Sequence, residues 1–235
     1  MMNEIQLTEI RNYLLTKKLP IDILIEVQDH FVTQILDLQC EENLSFEDAL
    51  KMVKKQWHDE LKPYWKGGMN LEDVSDFMRK MRWQIEKSNI LEGLKLSIPV
   101  VMLIFLAAFF MNGIVFGIFV VTVLTVIVGF AIYKYIKNFK EFQLAKKYNN
   151  HVLTLHQHSI FIFIIIISPM MNIISSAIRH SDSFQKLFTF RDSFWESLFV
   201  FLSISLVVIS VFYSISAQKN HLRQIEKVKP FLKYL

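Results

Sequence analysis

Three of the seven histidines in this 235-residue sequence lie close together, and histidine commonly binds zinc, copper and nickel. They are His151, His156 and His158, in the pattern H-x4-H-x-H. On a helix, His151 and His158 would share a face, whereas His156 would lie away from it. No Asp, Glu or Cys nearby completes a set of four ligands. The spacing therefore predicts histidines beside a membrane and no metal site.

The sequence lacks the usual catalytic motifs. It contains no G-x-S-x-G turn for a serine nucleophile and no G-x-x-x-x-G-K-[ST] or G-x-G-x-x-G loop for phosphates. A membrane enzyme acting on a lipid or an isoprenoid would need acids, His or Arg clustered at the bilayer border. The only such candidates are Arg179, His180, Asp182 and Asp192. We therefore predict no enzymatic activity, no catalytic residues and no cofactor.

Small residues recur at helical spacing in the apolar part of the chain. They are Gly113 and Gly117, then Ser168, Asn172 and Ser175, and finally Ser203, Ser210 and Ser214. One interpretation is a polar pathway or a dimer seam. The other is close packing of a membrane bundle, in which small residues let backbones approach and Ser or Asn forms hydrogen bonds between helices. We call each of these sets a polar stripe. Pro169, which lies within the second stripe, predicts a kink in the helix that carries it.

The charge distribution divides the chain into two parts. Residues 1–95 carry 13 Lys and Arg against 17 Asp and Glu, whereas residues 96–235 carry 13 against 5. The second part is basic and apolar, and it contains long stretches without any charge. A single soluble globule, a disulfide scaffold and a disordered chain are all excluded by this pattern.

The charge-free stretches predict four membrane-spanning helices. Leu96 to Tyr133 contains no charged residue, and one helix of that length would be about twice as long as the bilayer core is thick. The chain must therefore turn back, and Asn112-Gly113 is a suitable turn. The predicted spans are 95–111, 115–134, 159–178 and 197–218. The fold class is thus all-α, a four-span transmembrane bundle over 95–218 with an N-terminal cytoplasmic helical domain.

The basic loops predict the orientation of these spans. Lys134, Lys137, Lys140, Lys146 and Lys147 follow the second span, and the tail 219–235 is also basic. Because basic loops stay in the cytoplasm and the number of spans is even, both termini are predicted to be cytoplasmic. The basic residues lie at the membrane border, so we predict membrane lipid as a partner and exclude nucleic acid.

Residues 1–69 are predicted to form a three-helix domain. Leu7, Ile10 and Leu14 mark one helix face, and Pro20 separates this helix from the next. Ser45 and Asp48 are spaced as a capping box that opens the third helix.

Residues 70–94 are predicted to form a connecting helix beside the membrane. Its candidate contacts to a partner or to lipid are Arg79, Lys80, Arg82, Trp83 and Lys87. Such a helix either binds anionic lipid or a partner, or simply packs on the first three helices.

The N-terminal layout resembles the HAAS-type, or permease-prefix, domain of PadR-associated bacterial membrane proteins. The resemblance covers about residues 5–62. The residues that carry it are Leu7, Ile10, Tyr13, Leu14, Leu19, Pro20, Asp29, His30, Phe31 and Ser45 to Leu50. It implies a signalling or partner-binding module without catalytic residues, in a bacterial inner membrane.

Together these patterns predict a non-enzymatic integral inner-membrane protein. It would act as a regulatory or scaffolding subunit that binds a protein partner, or another copy of itself, through its N-terminal helices. The alternative is a small transporter or channel subunit, or an accessory subunit of an ABC-type permease. The alternative requires the polar stripes to converge on a hydrated cavity.

Overall fold

The computed structural model describes residues 2–65, 73–157 and 159–235. Within these residues the fold is helical, and the predicted all-α class is confirmed. An isolated antiparallel bridge joins Tyr64 to Val74. The α-helices are α1 Glu4–Leu15, α2 Ile21–Glu41, α3 Phe46–Gln56, α4 His58–Leu61, α5 Asp76–Phe110, α6 Gly113–Lys137, α7 Phe139–Lys147, α8 Ile162–Ile165, α9 Ile167–Arg179, α10 Ser181–Phe188 and α11 Phe194–Val228, with 3₁₀ helices at Ser159–Phe161 and Lys229–Tyr234.

Local capping explains where the first helices begin. Asn3 and Gln6 form a reciprocal capping box at α1, and Pro20 occupies the position before α2. The Ser45 hydroxyl accepts a hydrogen bond from the Asp48 N–H at 3.2 Å and donates one to the Asp48 carboxylate at 2.6 Å. The predicted cap therefore starts α3, but its second bond runs between the two side chains and does not reach the Ser45 backbone.

Among the described residues, three helices are long and apolar enough to cross a membrane: Asp76–Phe110, Gly113–Lys137 and the continuous helical stretch Phe194–Tyr234. Their most apolar windows have mean hydropathies of 2.2, 2.8 and 2.5. Many of their large apolar side chains are exposed, for example Phe110 and Phe199 at 87% and 72%. These findings support a membrane protein. The second and fourth predicted spans lie within these helices, and the first does so except for its last residue.

The predicted third span does not form one continuous helix. Residues 159–178 contain a 3₁₀ turn, the four-residue α8 and most of α9, with a break at Ile166. Pro169 is the third residue of α9, where it needs no backbone donor, but in a continuous helix its ring would clash with the carbonyl of Ile165. The predicted kink at Pro169 is therefore a break three residues earlier. A four-span bundle is not confirmed by these helices.

The chain forms two compact units. Unit 1 comprises Met1–Glu86, Gln143–Leu155 and Arg223–Leu235, and unit 2 comprises Lys87–Phe142 and His156–Leu222. The core of unit 1 joins residues of all three segments, including Leu24, Phe31, Leu153, Ile225 and Phe231. The predicted domain 1–69 is therefore only part of a larger unit. Three short helices bury too little apolar surface alone, and the later segments cover what remains.

Helix α5 contains most of the connecting helix predicted for residues 70–94 and extends beyond it. Val74 pairs with Tyr64, and the Ser75 hydroxyl accepts from the Met78 N–H at 3.3 Å, so that the helix begins at Asp76. The predicted start at residue 70 lies outside the described residues. No boundary occurs at residue 94, because the helix continues to Phe110.

Candidate functional site

Gly113 and Gly117 lie where α6 packs against the corner between α9 and α10 in unit 2. A Cβ atom on Gly113 would come within 2.0 Å of an Asp182 carboxylate oxygen. A Cβ on Gly117 would come within 2.2 Å of the Ala177 carbonyl oxygen. Only glycine allows this approach. The pair is thus engaged within the chain, where it serves close packing.

A side chain of α10 reinforces this corner. The Gln185 amide donates to the Ala108 carbonyl oxygen at 2.7 Å and also to the Met111 carbonyl oxygen. These carbonyls belong to the last turn of α5 and the residue after it, where no helical donor remains. Phe116, Phe184 and Phe188 pack beside each other, with ring centroids 5.2–5.8 Å apart. The corner is therefore held by hydrogen bonds as well as by aromatic contacts.

A cavity of about 390 Å³ opens between α9, α10 and α11 in unit 2. Asn172 and Ser203, from two of the predicted stripes, both line it, together with His180. Apolar side chains such as Phe184 and Phe199 supply much of the remaining wall. A mainly apolar cavity with a few polar groups suits a small amphiphilic or apolar molecule.

The other stripe residues do not line this cavity. Ser168 is exposed, Ser175 and Ser210 are half-buried, and Ser214 is fully buried. The polar stripes therefore do not converge on one pathway. Asn172 and Ser203 come together, and the remaining residues occupy separate environments.

Unit 2 also contains a buried polar cluster that the sequence analysis missed. Asn89, on α5, is fully buried and makes two side-chain contacts. Its amide nitrogen lies 3.2 Å from His156 Nδ1, and its amide oxygen accepts from the Asn220 amide at 2.9 Å. Burial lowers the pKa of His156 and so favours the neutral imidazole. These contacts hold α5, α11 and the segment after α7 together.

A second polar group lies one turn further along α5. The Glu92 carboxylate accepts from Lys219 Nζ at 2.7 Å and from the Ser216 hydroxyl. Lys134 Nζ donates to the Ile215 carbonyl oxygen at 3.1 Å. The partners of these groups are more than 80 positions apart in sequence, so that spacing alone gives no signal for them. These contacts position α5, α6 and α11 relative to each other within unit 2.

The histidine segment and the charged residues around the ends of α9 and α10 do not come together in one site among the described residues. His151 belongs to unit 1 and His156 to unit 2, whereas His158 lies outside the described residues. Arg179, His180, Asp182 and Asp192 are all exposed. Where the structure describes the chain, no three His, Cys, Asp or Glu side chains are grouped as a metal site would require.

The predicted contact residues of α5 have different environments. Arg79 bonds to the Asp76 carboxylate at 3.2 Å and to the Tyr64 carbonyl oxygen, and it also lies over the Tyr64 ring. Arg82 lines a cavity in unit 1. Lys80, Trp83 and Lys87 are exposed. Arg79 is thus already engaged, whereas the others remain accessible.

Unit 1 contains a buried carboxylate where α2 meets the segment after α7. Asp22 is 5% exposed and accepts from the N–H groups of Ile23 at 2.9 Å and Leu155 at 3.1 Å. The backbone N–H groups of Ile21 and Asp22 donate to the carbonyls of Val152 and Leu153. Burial raises the pKa of Asp22 to about 7. The carboxyl therefore changes charge near neutral pH.

A basic groove of about 640 Å³ lies between α1 and α3 in unit 1. It is lined by Tyr13, Lys17, Lys51, Lys54, Lys55, His58 and Asp59. Lys54 forms an ion pair with Glu9 at 3.6 Å, and its ammonium also lies 4.9 Å from the Tyr13 ring centre. Four lysines against one lining carboxylate make this groove a positively charged surface.

No protein-family model, curated protein sequence or solved structure matches the chain.

Proposed function

We propose that this chain is a non-enzymatic integral membrane protein that acts as a regulatory or scaffolding subunit. Unit 1 would bind an acidic partner protein in the cytoplasm. The observation that carries the proposal is the construction of unit 1, in which the N-terminal helices, the segment after α7 and the tail share one core. Such a unit links an interaction surface directly to the segments that flank the apolar helices.

The same construction supports four crossings of a bacterial inner membrane. The chain leaves unit 1 after Glu86 and returns to it at Gln143, then leaves after Leu155 and returns at Arg223. If unit 1 lies on one side of the membrane, each excursion crosses an even number of times. Residues 159–179 would be about 31 Å long as helix, enough to cross despite the break. The basic segments 134–147 and 219–235 favour cytoplasmic termini.

The basic groove is the surface that we assign to the partner. Lys51 and Lys55 are exposed at its edge and are not ion-paired with any residue that the structure describes. Electrostatic complementarity speeds association with an acidic surface and makes it sensitive to salt. The N-terminal helices would thus recognise an acidic segment of a protein.

Charge reversal in the groove tests this function. We expect the full-length protein, purified in mild detergent, to retain a companion protein at fixed stoichiometry. Lys51→Glu combined with Lys55→Glu should release it, as should high salt, because both remove the attraction. The control is Lys62→Glu, an exposed lysine of the same unit outside the groove. The absence of a stoichiometric companion, or equal loss in the control, would contradict the proposal.

The cavity of unit 2 favours a second candidate, a small transporter or channel subunit. Asn172 and Ser203 face a common space there, as a path for a small molecule would require. The wall of this cavity is mainly apolar. A hydrated cavity would favour a transporter or channel subunit, whereas a dry cavity would favour the regulatory or scaffolding subunit. Reaction of a cysteine at Ser203 with a charged thiol reagent would favour transport.

A further inference from the structure

A second cavity in unit 1, of about 580 Å³, lies between the end of α1, the start of α2 and the first turns of α5. Lys17, Lys18 and Arg82 line it, and Asp73 is the only carboxylate among the described residues of its lining. Ser75 and Met78 contribute a hydroxyl and an apolar surface. The cavity thus combines three cations with an apolar wall.

These three cations have no ion pair with any residue that the structure describes. Lys17 contacts the Tyr13 ring at 4.8 Å, and no carboxylate among the described residues lies within ion-pair distance of Lys18 or Arg82. Arg79, one turn earlier in α5, is by contrast bonded to Asp76. Cations gathered around a cavity repel each other unless an anion binds between them.

The backbone at Lys18 is unusual. Its φ angle is 52°, in the left-handed region, where glycine or asparagine normally stands after a helix. A lysine in this conformation costs stability that a glycine would not. Strain of this kind at the edge of a cavity is typical of a side chain retained for binding.

We infer that this cavity binds a small phosphorylated molecule carrying at least two negative charges. The planar Arg82 guanidinium suits two oxygens of one phosphate, and Lys17 and Lys18 supply point charges. The Ser75 oxygen already accepts from the Met78 N–H, so that its proton remains available for a phosphate oxygen. Met78 would contact the organic part of the ligand. This inference goes beyond the proposed function and does not depend on the basic groove.

The position of Arg82 in the sequence favours a soluble ligand over a lipid headgroup. Arg82 lies 13 residues before Lys95, the last charged residue before the apolar stretch. Arg82 is thus separated in sequence from the residues at the membrane border, and the nanodisc experiment distinguishes the two sources of phosphate.

The test uses the full-length protein in nanodiscs of phosphatidylcholine, with pyrophosphate and ATP as probes in isothermal titration calorimetry. We expect both probes to bind, and we expect Lys18→Gly and Arg82→Gln each to weaken binding at least tenfold. Lys18→Gly should also raise Tm by about 2–4 °C, because glycine relieves the left-handed backbone. Loss of affinity in a more stable protein cannot come from misfolding.

One control variant and two possible outcomes complete the test. Lys227→Gln, at an exposed lysine of the same unit that lines neither this cavity nor the basic groove, should bind both probes as the wild-type protein does. Absence of binding, or unchanged affinity in the double variant Lys18→Gly and Arg82→Gln, would overturn the inference. If neither probe bound, but nanodiscs containing phosphatidylglycerol raised Tm in the wild type and not in the double variant, the soluble ligand would be overturned in favour of a lipid.

Discussion

Asp22 joins two parts of the sequence that are about 130 positions apart, because its carboxylate accepts from the N–H of Leu155 in the segment after α7. Desolvation raises its pKa to about 7 from an ordinary value of 3.8, and the nearby Glu26 acts in the same direction. Between these pH values the folded unit keeps the proton and the unfolded chain loses it. The free energy of unfolding therefore falls as pH rises through this range, by up to about 4 kcal/mol.

We accordingly expect Asp22→Asn, which cannot ionise, to flatten this pH dependence. Chemical denaturation in mild detergent from pH 4 to pH 7.5 measures the effect, and the difference from the wild type should be largest above pH 7. Glu26→Gln serves as the comparison, because it removes only the smaller charge effect on Asp22. An unchanged slope in Asp22→Asn would show that another group controls the transition.

Some of the polar residues in the candidate sites could be predicted from the sequence, and others could not. Asn172 and Ser203 were selected by helical spacing within apolar stretches, and they line one cavity. Asn89 and Asn220 were not selected, because each is one polar residue in a helix and gains significance only from the other. Burial of a polar side chain depends on which distant segments meet, and a spacing pattern contains no such information.

Helices with clear apolar periodicity agree with their predictions at the level of elements. Pro20 and Ser45 define the starts of α2 and α3 because their effects are local. The start of α5 was predicted less well, since it depends on Val74 pairing with Tyr64 across a loop. The segment 159–178 has the composition of a span, and its break follows from one proline within it.

The break at Ile166 should disappear when its cause is removed. Pro169→Ala restores a backbone donor and removes the clash with the Ile165 carbonyl, and we expect one helix to extend from Ile162 to Arg179. Spin labels on cysteines introduced at Ile162 and Arg179, with Cys40 replaced by serine, measure the change. Their separation should increase towards about 26 Å, the rise of 17 helical residues.

Ser168→Ala, next to the proline, is the matched control and should leave the label separation unchanged. If Pro169→Ala also left it unchanged, the break would have to arise from packing against α6, with which α9 is in contact.

The arrangement of the whole molecule can be tested with its single cysteine. Cys40 is exposed on unit 1, which we propose to be cytoplasmic. A membrane-impermeant maleimide should therefore label Cys40 only after the membrane is opened. In a Cys40→Ser background, Asp192→Cys, which lies in the predicted outer connection, should react in intact cells. Labelling of Cys40 in intact cells would place unit 1 outside and contradict both the crossings and the cytoplasmic partner.

The composition of unit 1 also has a consequence for how the protein is made. The first 86 residues leave the ribosome before Ile225 and Phe231, which belong to the same core but are synthesised only after the intervening apolar helices. Until then Leu24, Phe31 and their neighbours lack some of the apolar side chains that bury them, while the apolar helices would be entering the membrane. We expect the nascent N-terminal helices to depend on a chaperone during this interval, so that this unit matures only once residues 223–235 have been synthesised.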